Sequence, residues 1–164
     1  MTRHSPILDR VVSALTERGM TRERAQSRLS LLSRVLPPDA NEGDRIWWVP
    51  GRIEMLGKHT DYAGGRSLLA AAHRGIWFVV RPRRDHTVRA IDRVRDEVVE
   101  FNLSANLTPL PGWGNYPSTV GRRLTRNFGV LNGADFYFGS DLPLAAGLSS
   151  SSALIVGFSL GLIA

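Results

Sequence analysis

Two stretches of this sequence concentrate the residue types that do chemistry. The first is Pro50-Gly51-Arg52-Ile53-Glu54-Met55-Leu56-Gly57-Lys58-His59-Thr60-Asp61-Tyr62-Ala63-Gly64-Gly65. Arg52, Glu54, Lys58, His59, Thr60, Asp61 and Tyr62 can all hydrogen-bond or carry charge, and glycines flank them. Recognition of a neutral carbohydrate wants such a set: fixed donors and acceptors, a carboxylate to bridge neighbouring hydroxyls, an aromatic ring nearby. The plain alternative is a solvated loop in which Asp61 caps a turn. Lys58 is the only lysine of the chain, against 20 arginines among its 21 basic residues.

The second stretch runs from Phe136 to Ala153. An apolar strand leads through Leu142-Pro143-Leu144-Ala145-Ala146-Gly147-Leu148 into Ser149-Ser150-Ser151-Ser152 and then an apolar helix. A small-residue loop that delivers a helix N-terminus offers free N–H groups and the positive end of the helix dipole, which favour an anion. Gly147 lets a phosphate come close to the backbone, and serine hydroxyls add donors or reach Mg2+. A single serine would suffice as a helix cap; four in a row after a glycine exceed that need. The G-x-x-x-x-G-K-[ST] phosphate loop is missing, and Gly147-Leu148-Ser149-Ser150-Ser151 lacks the second glycine of a hydrolase nucleophile elbow.

The elements that must position these stretches follow from periodicity. Ser5-Pro6 opens a helix with Ile7, Leu8, Val11, Val12 and Leu15 on one face, ended by Gly19. Thr21 caps a second, with Ala25, Leu29, Leu32 and Leu36 inward, stopped by Pro37-Pro38. Residues 1–44 thus read as a helical lead-in and 45–164 as the functional domain. Strands are expected at Ile46–Val49, broken by Pro50-Gly51 and resuming at Ile53–Leu56, then at Leu68–Ala72 and Ile76–Val80. Thr87–Ile91 and Val98–Leu103 alternate as a hairpin. Tyr116, Val120 and Leu124 mark a helix closed by Gly129, and Phe136-Tyr137-Phe138 a buried strand. Strands first, then alternation with helices, argue for an α+β fold.

Composition excludes several classes. With 164 residues, 43% hydrophobic and 22% charged, the chain is neither disordered nor repetitive. There is no cysteine, hence no disulfide or thiolate chemistry, and the four histidines show no metal-ligand spacing. The net charge of +6 comes from arginines interleaved with acids, so neither a nucleic-acid nor a membrane partner is implied. The N-terminus lacks an apolar signal region, which makes a cytoplasmic address the expectation. The 23 residues after Asp141 are uncharged, but only 12 of them, Ala153 to Ala164, form a run that is apolar but for Ser159. That is too short to span a bilayer, and a buried helix is expected. It carries no stop signal, which suggests a chain cut within an element.

The two stretches together resemble the N-terminal signatures of the GHMP kinase superfamily, the first that of galactokinases in particular. The pattern P-G-R-x-N-L-I-G-E-H-T-D-Y-N-x-G is met by Pro50, Gly51, Arg52, Gly57, His59, Thr60, Asp61, Tyr62 and Gly65. The pattern P-x-G-x-G-L-S-S-S-A is met by Pro143, Gly147, Leu148, Ser149, Ser150 and Ser151. Trp113-Gly114-Asn115-Tyr116 resembles the family's W-x-N-Y helix start. The resemblance implies the superfamily's N-terminal domain fold (ribosomal protein S5 domain 2-like), a mixed β-sheet with packed helices, here in truncated form without the C-terminal domain. It implies ATP-dependent phosphorylation of a monosaccharide at its anomeric hydroxyl, with ATP and Mg2+ as cofactors. Arg52 would steady the attacking hydroxyl and the transferred phosphoryl group. Lys58, His59, Asp61 and Tyr62 would bind sugar, and Gly147, Leu148, Ser149, Ser150 and Ser151 the ATP phosphates, with Ser151 near Mg2+. The family's catalytic Asp lies beyond the serine loop, so this stretch alone is expected to be inactive. Lys58 stands where the family has Glu, Ala63 where it has Asn, and Ala145 and Ala146 where glycine is usual. A cation at Lys58 suits an acidic sugar such as a uronic acid, unless it faces solvent or pairs with Glu54. The competing readings are a non-catalytic nucleotide- or sugar-binding module, and a serine hydrolase using one of Ser149–Ser152 with His59 and Asp61.

Overall fold

The computed structural model describes residues 6–57, 60–129, 131–143 and 147–164. Two helices come first, α1 (Pro6–Glu17) and α2 (Arg22–Val35). Strands β1 (Arg45–Leu56), β2 (Leu68–Pro82), β3 (Thr87–Asp92) and β4 (Glu97–Asn102) follow. Helix α3 (Asn115–Phe128), strand β5 (Ala134–Ser140) and helix α4 (Ser150–Ile163) complete the order. The strands form one sheet in the order β1-β2-β5-β3-β4. All neighbours are antiparallel except β3 and β5, which run parallel. A parallel pair needs a crossover, and here β4 and α3 supply it. The mixed sheet with packed helices is the fold the sequence led us to expect.

The apolar run Ile76–Val80 has no hydrophobic alternation because it is covered on both faces. Side chains alternate across a strand. Ile76, Phe78 and Val80 therefore join the core beneath α3 and α4, and Trp77 and Val79 the core beneath α1 and α2. The lead-in helices are thus a third layer: Val11, Leu32 and Val35 close over Trp77 and Val79. Thr21 Oγ1 caps α2 by accepting from the Arg24 N–H at 3.4 Å, as the sequence predicts.

Helix α4 lies on the sheet through glycines. A Cβ on Gly157 would collide with the Phe78 ring and one on Gly161 with the Phe136 ring. That close approach seats Phe158, fully buried, against Phe78, Phe136 and Phe138 at centroid distances of 5.5, 4.8 and 5.6 Å. Burying such a ring contributes about 1.5–3 kcal/mol. The helix is buried on this face only, for Ile155, Val156 and Ile163 are exposed. Among the described residues, no helix is long and apolar enough to cross a membrane.

Two expected strand breaks are absent. β1 continues through Pro50-Gly51, and β2 through His73-Arg74-Gly75. The register explains both: Pro50 pairs with Gly75 and Arg52 with Ala71, so β2 takes four steps where β1 takes two. A bulge absorbs the irregular residues without ending either strand. It bends the hairpin just where the first polar stretch begins.

Candidate functional site

Arg52 leaves the bulge on an exposed part of β1, its guanidinium 3.8 Å from the Glu54 carboxylate. At that separation in solvent the pair is loose, and the guanidinium keeps donors for a ligand. Beyond β1, Gly57 turns the chain at φ +87°, and a Cβ there would run into the Arg66 carbonyl. Thr60 clasps the loop: its N–H and its hydroxyl both donate to Gly57 O, at 3.1 and 2.8 Å. Its carbonyl accepts from the N–H groups of Ala63 and Gly65 at 3.0 and 2.8 Å. Ser67 Oγ donates to the same Gly57 carbonyl at 3.1 Å. Gly65 presses so closely on Thr60 that a Cβ would lie 2.7 Å from Thr60 Cβ. Sequence reasoning counted Thr60 among the polar loop side chains; the structure gives it the task of folding the loop.

The remaining residues expected to bind sugar fall unevenly. Lys58 and His59 lie outside the described residues. Asp61 opens a single 3-10 turn, Asp61–Ala63, and its side chain lies outside the described ones. Tyr62 is in that turn, its phenol exposed.

The serine loop is held at its near end by Asp141, whose Oδ1 accepts from the Gly75 N–H at 2.7 Å. Ser140 Oγ accepts from the Leu142 N–H at 3.1 Å. Leu144, Ala145 and Ala146 lie outside the described residues. Gly147, at φ +68°, is exposed, with open space where a Cβ would project. Ser149 is the N-cap of α4, yet its side chain makes no capping bond, and it sits in the left-handed region at φ 55°, ψ 42°. The reading in which this serine merely caps the helix therefore does not hold. The first helical bond runs from the Ala153 N–H to Ser149 O at 3.0 Å. The N–H groups of Ser150, Ser151 and Ser152 have no acceptor among the described residues. Free N–H groups at a helix start, beside an exposed glycine, are donors that suit an anion. Among the described residues no group of three or more His, Asp or Glu could hold a metal ion; the oxygens this loop offers one are hydroxyls.

The two stretches meet in space. The Arg52 N–H donates to the Leu148 carbonyl at 3.0 Å. Gly51 makes the approach possible: a Cβ there would lie 2.6 Å from Leu142 Cδ2 and 2.9 Å from Leu148 O. The root of the arginine that leaves β1 is thereby pinned to the loop that starts α4. The backbone of Arg52 therefore adjoins the loop whose helix N–H groups are free, and its guanidinium is exposed. Helix N–H groups and a guanidinium are both donors that suit phosphate oxygens. The sequence named Arg52, Gly147, Leu148 and the serines as site residues but gave no sign of the Gly51–Leu148 contact. The only available signal was the glycine before Arg52.

Comparison with known proteins bears on the same two stretches. The galactokinase galactose-binding signature matches residues 39–82, and the GHMP kinases N terminal domain matches residues 115–164. A galactokinase of Halalkalibacterium halodurans is 35% identical over 111 residues, covering 67% of this chain and 28% of that protein. Another, of Lactiplantibacillus plantarum, is 36% identical over 132 residues, covering 73% of this chain and 34% of that protein. The chain thus spans about a third of the length of these relatives. The crystal structure of Lactococcus lactis galactokinase complexed with galactose superposes with a TM-score of 0.65 at 27% identity, over 90% of this chain and 35% of that one.

Proposed function

The chain belongs to the GHMP kinase superfamily, on its galactokinase side, and from that premise we propose that it supplies the sugar- and ATP-phosphate-binding part of a sugar 1-kinase. The observation that carries the reading is the joint between Arg52 and Leu148, which brings the two signature loops to one surface. In the proposed reaction the anomeric hydroxyl oxygen of a monosaccharide attacks the γ-phosphorus of ATP. The bond from that phosphorus to the β,γ-bridging oxygen breaks, ADP leaves, and the hydroxyl proton passes to a base.

The chain's own residues position the groups. The N–H groups of Ser150, Ser151 and Ser152 and the backbone at Gly147–Leu148 bind the nucleotide phosphates; Ser149 and Ser151 add hydroxyls. Arg52 reaches from the bulge to the transferred group and the attacking oxygen, where its charge offsets the charge that develops. Lys58, His59, Asp61 and Tyr62 bind the sugar, on a loop whose backbone Thr60 fixes. Mg2+ would be carried by the nucleotide phosphates, neutralising their charge, with the Ser151 hydroxyl nearest to it. ATP use accords with a cytoplasmic setting.

The sugar is galactose or a close relative, and the cation at Lys58 favours one bearing a carboxylate. The test is ADP release from ATP·Mg2+ by the product of the full gene, with galactose and with galacturonate. Sugar-dependent release supports the kinase. Binding of both ligands with no release from any sugar would leave the non-catalytic binding module. Exchange of Lys58→Glu should move the preference from galacturonate toward galactose; an unmoved preference removes the acidic-sugar assignment.

A further inference from the structure

A second concave site lies on the other face of the sheet. A cavity of about 840 Å3 opens between α2 and the β1–β2 strands, within the size range of small-molecule pockets. From α2 it is lined by Arg24, Arg28 and Arg34, and from the sheet side by Trp48, His73 and Asp141. Three arginines and one aspartate are thus among the residues that line it. Arg28 is fixed in place. Its Cζ lies 3.6 Å from the centroid of the Trp48 ring, and Nη2 donates to the His73 carbonyl at 3.3 Å. Arg24 and Arg34 are exposed, and neither makes an ion pair among the described residues. Arg28 is pushed below the usual guanidinium range by burial first, Asp141 opposing and the neighbouring Arg24 adding to the push.

Like charges gathered in a concavity without matching acids repel one another, and a bound anion relieves that repulsion. Guanidinium groups suit oxyanions because their donors form a planar fork that meets two oxygens at once. Arg24 and Arg34 are ten residues apart on α2, about 15 Å along the axis, so their long side chains must converge on a ligand that touches both, which suits one carrying more than one charged group. We propose that this cavity binds a small, multiply charged oxyanion, a phosphate ester or a polycarboxylate, held by Arg24 and Arg34 against the Arg28–Trp48 wall. Gly147 and the serines that start α4 are not among the residues that line this cavity; Asp141, which also holds the near end of the serine loop, borders both.

The test is a titration of the 15N-labelled chain with pyrophosphate and, separately, with citrate, reading the indole N–H signal of Trp48. Pyrophosphate bound at the serine loop instead would give the same response in the R24Q/R34Q variant as in wild type. Expected is a saturable shift with a Kd below about 1 mM for at least one of the two anions. Binding should weaken at least about tenfold in the R24Q/R34Q variant, with R34Q alone intermediate. Both arginines are exposed, so the variants should keep the wild-type amide spectrum elsewhere; if the double variant unfolds, the two single variants give the comparison. A response to pyrophosphate alone assigns a phosphate ester, and one to citrate alone a polycarboxylate. A Trp48 signal unmoved by both anions, or an affinity unchanged in the variants, overturns the proposal.

Discussion

Substitution Gly51→Ala is the sharpest probe of the joint between the two loops. The added Cβ would stand 2.6 Å from Leu142 Cδ2 and 2.9 Å from the Leu148 carbonyl oxygen, with Ala72 Cβ at 3.5 Å behind it. The leucine methyl can rotate away. The carbonyl cannot withdraw without lengthening its 3.0 Å bond to the Arg52 N–H, and a shift of about 0.5 Å takes that bond to the limit of useful geometry. Overpacking of this kind costs about 1–3 kcal/mol, and the lost hydrogen bond about 1 kcal/mol more. Urea denaturation should show the chain destabilised by about 2–4 kcal/mol at unchanged m. In calorimetry, affinity for a non-hydrolysable ATP analogue should fall together with stability. Gly147→Ala is the control: nothing lies near its Cβ position, so only the positive φ is penalised, at about 1–2 kcal/mol. A Gly51→Ala protein within about 0.5 kcal/mol of wild type, with intact nucleotide binding, would refute the packing of the two loops.

Other outcomes follow from particular side chains. Ser149→Gly should raise the melting temperature, since glycine adopts the observed φ of 55° without strain and no capping bond is lost; nucleotide affinity should fall if the hydroxyl touches phosphate. Asp44 is buried and takes Arg81 in two bonds, Nε to Oδ1 at 2.8 Å and Nη2 to Oδ2 at 3.0 Å. Asp44→Ala should cost about 2–3 kcal/mol in chemical denaturation, below the range for a fully orphaned buried charge, because Arg81 keeps Asp39. The Arg83 guanidinium, with help from the Thr87 N–H, holds Asp85 well below the usual carboxylate range. A depressed folded pKa contributes stability above the unfolded value near 3.9 and loses it as pH falls further. Melting temperatures followed from pH 5 to pH 2 should drop less steeply in Asp85→Asn than in wild type. Parallel curves would contradict the pairing.

Much of this was legible in the residues, for reasons that differ by element. The faces of α1, α2 and α3 follow helical spacing, and the β3–β4 hairpin follows simple alternation, so local sequence was enough. Pro50-Gly51 and the stretch between Ala72 and Ile76 read as strand breaks because turn chemistry is local. Their real role is a bulge that exists only when β1 and β2 pair, and pairing is not written in either strand alone. The same holds for the site. Residue types suggested a phosphate loop at Gly147–Ser151 and a polar, sugar-suited stretch at Pro50–Gly65, but not that a backbone hydrogen bond joins them. Thr60 was visible as a polar residue, yet its clasp on Gly57 depends on a glycine turning back at positive φ. The arginines of α2 read as solvated surface. Only their placement against Trp48 across a cavity sets them apart.

The central claim, that one surface made by both loops receives nucleotide phosphates, is tested most directly by titrating the 15N-labelled chain with a non-hydrolysable ATP analogue and Mg2+. The account predicts that the amide signals of Gly147 and Ser150–Ser152 shift together with that of Arg52, along one saturation curve, while those of α1 stay still. Saturating nucleotide that leaves Ser150–Ser152 unmoved, or moves them without Arg52, would contradict it.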